Sequence, residues 1–281
     1  MLDQLTVLAP GLLGGSVARA ARARGAAKRI VIWARRPEVR VALAQQPWCD
    51  AVAETPELAV KGANLVVIAA TVDTIIPLAR QIGAHLSSGT IVTDVGSVKS
   101  EIARQGPEAV GHKAQFVGSH PMAGSEKTGW ENSTADLFEK RTCFVTPLEE
   151  TDPAAAEMVG RFWRKLGATV AEVPPATHDA IVAHISHLPQ LLASTLCAFL
   201  AGKDAAWRDF AGNGLRDTTR IAGSDPALWR TILEGNRAEV LAAIRGFQWE
   251  LAKAEKALAA SNWEAIADLM ARGKAYRDGM K

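Results

Sequence analysis

Cysteine is scarce in this chain. The three present, Cys49, Cys143 and Cys197, are odd in number and far apart, which excludes a disulfide framework and a CxxC metal or redox site. They read as buried thiols of a reducing compartment. An excess of charge of one sign is also missing: 32 basic residues stand against 30 acidic ones, a net of +2. The overall balance therefore points to neither nucleic acid nor an anionic membrane, and any recognition of anions has to be local. No apolar run approaches the ~20 residues that cross a bilayer, and the start of the chain lacks the basic-then-apolar pattern of a secretory leader. A cytoplasmic location is expected. Long polar tracts, repeats and low-complexity segments are absent too, so disorder is not expected. With 281 residues the chain exceeds a typical single domain and has room for two cores.

What is present begins with alternation. Short apolar or β-branched runs at residues 5–8, 29–33, 65–70, 90–93, 115–117, 142–146 and 169–172 alternate with helical patterns at 12–24, 37–45, 72–84, 98–105 and 153–166. That order is the signature of an α/β doubly wound parallel sheet of Rossmann type. After Val173-Pro174-Pro175 the pattern is helical to the end. Residues 1–173 are expected to form a dinucleotide-binding domain and 174–281 an all-α domain. Within the latter, Val240, Ile244, Phe247, Leu251, Ala254 and Leu258 recur at alternating spacings of four and three. Such a stripe has to bury against another helix, and part of that burial is expected between two copies of the chain.

The first strand runs into Ala9-Pro10-Gly11-Leu12-Leu13-Gly14-Gly15-Ser16. This is a GxGxxG loop with Ala9 in place of its first glycine. Gly11 lets the backbone approach a pyrophosphate, Gly14 lets helix and strand pack closely, and the phosphates sit on the helix N-terminus, with Leu12 and Leu13. An acidic residue that grips the ribose 2′-hydroxyl of NAD belongs at the end of the second strand. Here that position is Ala34, followed by Arg35 and Arg36, whose guanidinium groups suit a 2′-phosphate. NADP is therefore expected rather than NAD; the alternative is a merely solvated pair of arginines. Further cofactor contacts are expected at strand ends, from Ala70, Thr71 and Ser97, although Ser97 is equally suited to cap the following helix.

Three later segments carry chemistry. Gly118-Ser119-His120-Pro121-Met122-Ala123-Gly124-Ser125-Glu126 is too polar and glycine-rich for core, and places His120 just beyond a strand end. In the next segment, His184 and His187 lie three apart on one expected helix face. They lack further ligands at metal spacing, so no metal is expected, and Pro189 implies a helix break or kink. Arg216 and Arg220 sit in an apolar, hydroxyl-rich run that suits a carboxylate clamp. Most of the eight tryptophans read as core or interface; Trp229 is the pocket candidate.

In order along the chain, Gly11-Leu12-Leu13-Gly14-Gly15-Ser16, Asp94-Val95-Gly96-Ser97-Val98-Lys99, Ser119-His120-Pro121-Met122-Ala123-Gly124, His178-Asp179, Ser186-His187-Leu188-Pro189 and Thr219-Arg220-Ile221-Ala222 resemble the motifs of the prephenate and arogenate dehydrogenases of tyrosine biosynthesis. The resemblance covers nearly the whole chain. It implies a helical dimerisation domain, hence a homodimer, with the active site between the domains. The implied reaction is an oxidative decarboxylation, in which a hydride leaves the carbon bearing the hydroxyl, carbon dioxide departs and the ring becomes a phenol. By the resemblance His120 accepts the hydroxyl proton, Arg220 binds a substrate carboxylate, and Ser97 bridges the nicotinamide region to the substrate or His120. Glu126, His178 and His187 match the rim of the substrate pocket. The chain departs from the family pattern at Ala9, at Ala34, and at Gln190, where many members carry a histidine that contacts the substrate side chain. Two rival readings are a 3-hydroxyacid dehydrogenase and a non-catalytic NADP-binding sensor. The first relies on a second-domain lysine, which neither 178–190 nor 212–229 contains; the second is at odds with the joint presence of Ser97, His120 and Arg220.

Overall fold

The computed structural model describes residues 1–124 and 127–280. Its first part runs β1 (Leu2–Leu8), α1 (Leu12–Ala23), β2 (Ala27–Trp33), α2 (Pro37–Ala44), β3 (Ala51–Val52), α3 (Pro56–Ala59), β4 (Leu65–Ile68), α4 (Val72–Gly83), β5 (Thr90–Asp94), α5 (Ser100–Val110), β6 (Ala114–Phe116), β7 (Gly118–Pro121), β8 (Thr142–Thr146), α6 (Pro153–Lys165) and β9 (Thr169–Glu172). Strands β3-β2-β1-β4-β5-β6 form a parallel sheet in that order, the doubly wound order of dinucleotide folds. Its strands are near-continuous apolar runs because both faces are covered. On one face Leu5, Val7, Ile30 and Ile32 pack with Val17 and Ala21 of α1 and Trp163 of α6. On the other, Val66, Ile68 and Val92 pack with Ile75 and Ile82 of α4 and Ile102 of α5.

The strand expected at 115–117 is β6, Ala114–Phe116, paired with β5, and a junction follows it directly. The N–H of Val117 still bonds the Val92 carbonyl, after which the chain leaves the large sheet and enters a second one, ordered β7-β8-β9, with β7 antiparallel to β8. His120 therefore lies inside a strand, paired with Phe144, rather than beyond a strand end. Gly118 makes the crossing possible: a Cβ there would meet Thr146 Oγ1 at 2.6 Å and Lys99 Cδ at 3.3 Å. The helix expected from residue 98 starts at Ser100 instead.

The second part is helical: α7 (Pro175–Val182), α8 (Leu188–Ala201), α9 (Asn213–Thr219), α10 (Pro226–Gly235), α11 (Arg237–Ala259) and α12 (Trp263–Asp278). Pro189 does not break the chain's course. A π turn, Ala183–His187, joins α7 to α8, and this wider turn absorbs the hydrogen bond that Pro189 cannot give to the Ile185 carbonyl. The resulting helix, Pro175–Ala201, spans 27 residues and is long and apolar enough to cross a bilayer by length and composition. The sequence reading had expected no such segment. Its buried polar side chains, His178, Asp179, His187 and Gln190, are hydrogen-bonded within the protein. The π turn also separates the two histidines that were expected to share a face: His184 is exposed and His187 buried. Among the described residues no cluster of potential metal ligands occurs.

The helical part has little core of its own. Ala183, Leu188, Val240 and Ala243 form it, with Ile244 packed alongside. Further along the same stripe Phe247, Leu251 and Leu258 are 39%, 59% and 54% exposed, so α11 is buried only at its start.

Candidate active site

The carboxyl ends of β2, β1, β4 and β5 line one edge of the large sheet, where doubly wound folds bind ligands. Ala9, Gly11, Leu12, Leu13 and Gly14 follow β1; Ala34, Arg35 and Arg36 follow β2; Ala70 and Thr71 follow β4; Ser97 follows β5. Ala9 keeps the left-handed backbone of the glycine it replaces, with φ +56°. A Cβ on Gly14 would meet Ala69 Cβ at 2.7 Å, whereas one on Gly11 would meet nothing within 4 Å. Helix α1 thus needs Gly14 to lie against the sheet, and Gly11 faces open space where a phosphate fits. Arg35 and Arg36 are exposed, and Arg36 Nε lies 3.7 Å from Glu38. Arg40 donates to the carbonyls of Ala34 (2.9 Å) and Arg35 (3.0 Å), holding this loop in shape. Ser97 is half-buried and does not cap α5.

Beneath this edge lies a buried polar cluster. Lys99 and Asp94, both fully buried, form an ion pair, and Asp94 also accepts from the N–H of Gly96 (2.8 Å) and Ser119 (3.2 Å). Ser119 donates to the Asp94 carbonyl (2.6 Å) and accepts from the Trp163 indole (2.9 Å). One residue on, the His120 Nδ1 lies 2.9 Å from the His178 Nε2, and the His178 Nδ1 lies 2.8 Å from Asp179 Oδ1. Asp179 caps the nucleotide half from the helical half: its two oxygens accept the N–H groups of Lys99 and Ser100, each at 2.8 Å. Asn236, at the α10–α11 junction, donates to the Asp179 carbonyl (2.8 Å) and contacts His187 Nδ1 (3.1 Å). His187 in turn packs edge-on against Trp229, ring centroids 5.9 Å apart.

Burial first, then the His178 ring, the Lys99 ammonium and the His187 ring, holds the His120 imidazole well below the usual histidine range. Burial lowers His178 as well, against the opposing pull of Asp179, and takes His187 down to about 4. All three rings are neutral near pH 7. Asp179 stays below the usual carboxylate range: burial raises it, but the hydrogen bonds from His178, Ser100 and Lys99 outweigh that cost.

The model of the prephenate dehydrogenase nucleotide-binding domain matches residues 17–172, and that of the prephenate dehydrogenase dimerization domain matches residues 174–272. The chain belongs to the prephenate dehydrogenase family. A family relative, the prephenate dehydrogenase of Bacillus subtilis, is 32% identical over 284 residues, covering 100% of this chain and 76% of the relative. The cyclohexadienyl dehydrogenase of Zymomonas mobilis is 26% identical over 285 residues, covering 100% and 97%. The crystal structure of prephenate dehydrogenase from A. aeolicus in complex with hydroxyphenyl propionate and NAD+ superposes with a TM-score of 0.93 at 28% identity, covering 100% of this chain and 99% of that one.

Against the family pattern, several expected site residues stand differently. His178 is not at a pocket rim: it is fully buried and both ring nitrogens face protein partners. Gln190 is buried and its amide is engaged by the Ile221 carbonyl at 2.9 Å, so it fixes the segment after Arg220 rather than projecting a free group. Arg220 is exposed in the single chain, at the start of the 3-10 turn Arg220–Gly223. Glu126 lies outside the described residues. Asp94, Lys99, Asp179, Asn236 and Arg40 went unassigned in the sequence reading. Asp94 and Lys99, flanking a Gly-Ser turn, and Asp179, beside His178, stood within the quoted motifs, whereas Arg40 and Asn236 carried no local signal.

Proposed function

We propose that the chain is an NADP-dependent dehydrogenase that oxidatively decarboxylates prephenate, arogenate or both, acting as a homodimer through residues 174–281, with 1–173 as the nucleotide-binding domain. The observation that carries this reading is a neutral, buried His120 set between a dinucleotide edge and the helical part. A neutral imidazole accepts the proton of the substrate hydroxyl as the hydride departs. NADP, when bound, supplies the hydride acceptor. Gly11 and the first turn of α1 hold its pyrophosphate, Arg35 and Arg36 its 2′-phosphate, and Ser97 with Ala70 and Thr71 borders the nicotinamide. Arg220 clamps a substrate carboxylate, and His187 and Trp229 close the pocket beside it.

Initial rates with both substrates and both cofactors test the reading. The expected result is turnover with NADP and at least one substrate; no turnover with either substrate would leave the sensor reading. Arg35→Ala with Arg36→Ala is expected to weaken NADP at least tenfold, about 1.4 kcal/mol, while leaving NAD use unchanged. The Glu38 contact is too exposed to hold Arg36 back. Equal loss of both cofactors would remove the arginines from 2′-phosphate recognition.

The homodimer rests on the exposed end of the α11 stripe. Leu251→Glu changes a residue that is 59% exposed in the single chain, so the chain's own packing is spared while an unpaired charge enters the interface. Light scattering at micromolar concentration is expected to find a dimer for the parent and a lower mass for the variant. A monomeric parent would overturn the assembly.

A further inference from the structure

The His120–His178–Asp179 row has a direction, set by the one group in it that can only accept. Asp179 is ionised, since its carboxyl is held low and it already accepts two backbone N–H groups. An ionised carboxylate has no proton to give, so the His178 Nδ1, 2.8 Å away, must carry hydrogen. The neutral His178 then has a bare Nε2, which can only accept. Its neighbour at 2.9 Å, His120 Nδ1, must therefore be the donor. That leaves the His120 Nε2 as the bare nitrogen.

We infer that Asp179 and His178 are positioning residues that fix the tautomer of His120, so that its Nε2 presents a lone pair for the substrate hydroxyl. The inference rests on the proposed role of His120 and adds residues to it. His178 moves from substrate contact to the middle of this row, and Asp179, which ties the two halves together by capping α5, acquires a second task. The groups facing the row from the elements packed on it are Lys99 and Asp94 below, His187 from the π turn, and the Phe144 and Cys143 side chains from β8. None competes with Asp179 for the His178 Nδ1.

The decisive variant is Asp179→Ala. Asp179 Oδ1 is the acceptor that holds hydrogen on the His178 Nδ1, so without the carboxylate neither His178 nitrogen is singled out, and His120 is no longer confined to the tautomer with a bare Nε2. In the dimeric enzyme, turnover is expected to fall by about 10²–10⁴-fold with little change in KM or cofactor affinity, as expected for a base no longer held in one tautomer. Nitrogen-15 NMR of histidine-labelled protein reads the tautomer directly, with the His120 resonances assigned from His120→Asn. The bare nitrogen is expected to be Nε2 in the parent, and both tautomers are expected to be populated in Asp179→Ala. Should that variant fail to fold, His178→Gln keeps an acceptor for His120 and a donor for Asp179, whereas His178→Leu keeps neither. The first is expected to retain at least tenfold more turnover than the second. A bare Nδ1 in the parent, an unchanged tautomer in Asp179→Ala, or equal turnover of the two His178 variants overturns the inference. The NMR outcome stands whether or not the parent oxidises prephenate or arogenate, so failure of the row and failure of the proposed activity are told apart.

Discussion

Replacing His120 by asparagine is expected to lower turnover by about 10²–10⁴-fold while leaving affinity for the nicotinamide cofactor intact. Asparagine keeps a hydrogen-bonding group of similar reach but cannot take up a proton. With His120 in its proposed role, turnover of the parent enzyme is expected to require the neutral ring and to fall as pH drops through its folded pKa. Burial and the neighbouring His178, Lys99 and His187 hold that value well below 6.5, so the acid limb is expected on the acid side of a free histidine, and to vanish in His120→Asn. Acid unfolding has to be separated from this limb. His120, His178 and His187 all have lowered folded values, so the unfolded chain binds more protons, and stability is lost as pH falls below the unfolded value of about 6.5. For His187 the loss continues to about 4. Circular dichroism across the same pH range makes the distinction. An acid limb that persists in His120→Asn with the fold intact would remove His120 as the acceptor.

Lys99→Met is expected to cost about 3–5 kcal/mol of folding stability. Lys99 and Asp94 are both fully inaccessible, and removing the ammonium leaves a carboxylate buried without its counter-charge. The double variant Lys99→Met, Asp94→Asn removes both charges and keeps one oxygen, for the Gly96 N–H at 2.8 Å, while the longer bond from the Ser119 N–H, 3.2 Å, is given up. It is expected to recover part of the loss. Denaturant midpoints measure both effects. A second consequence appears in catalysis: the Lys99 ammonium is one of the charges that depress His120, so without it the acid limb moves to higher pH. A single variant losing under about 1 kcal/mol would mean that water or another cation reaches Asp94.

The doubly wound half was legible because its signals are local. Strand and helix periods alternate, and the Gly11–Gly14 loop sits where the first strand ends. Elements carried by few residues escaped: Ala51–Val52 is too short to show a period, and the passage from one sheet to the next through Val117-Gly118 has no turn residue beyond a single glycine. The site was half legible. His120 stood out by its glycine-rich surroundings, but the residues that hold it did not, because charged side chains are read as surface by default. Asp179 and Asn236 acquire meaning only through partners far along the chain: Asp179 meets Ser100, and Asn236 meets the Asp179 carbonyl. Pro189 promised a break or a kink, and the π turn Ala183–His187 was not foreseen, because a proline signals a lost hydrogen bond without saying how the helix accommodates it.

Ala9 holds a backbone conformation, φ +56°, that costs a residue with a side chain about 1–2 kcal/mol relative to glycine. A glycine at this position would in turn enlarge the set of conformations open to the unfolded chain, and so lower stability by about 0.4–1 kcal/mol. The two effects oppose each other, and their difference is about 1 kcal/mol, small against the several kcal/mol that hold a domain folded. Losing the first glycine of the loop is therefore nearly neutral for folding. The residue before the phosphate turn is free to drift between glycine and alanine, whereas Gly14, pressed against Ala69, is not.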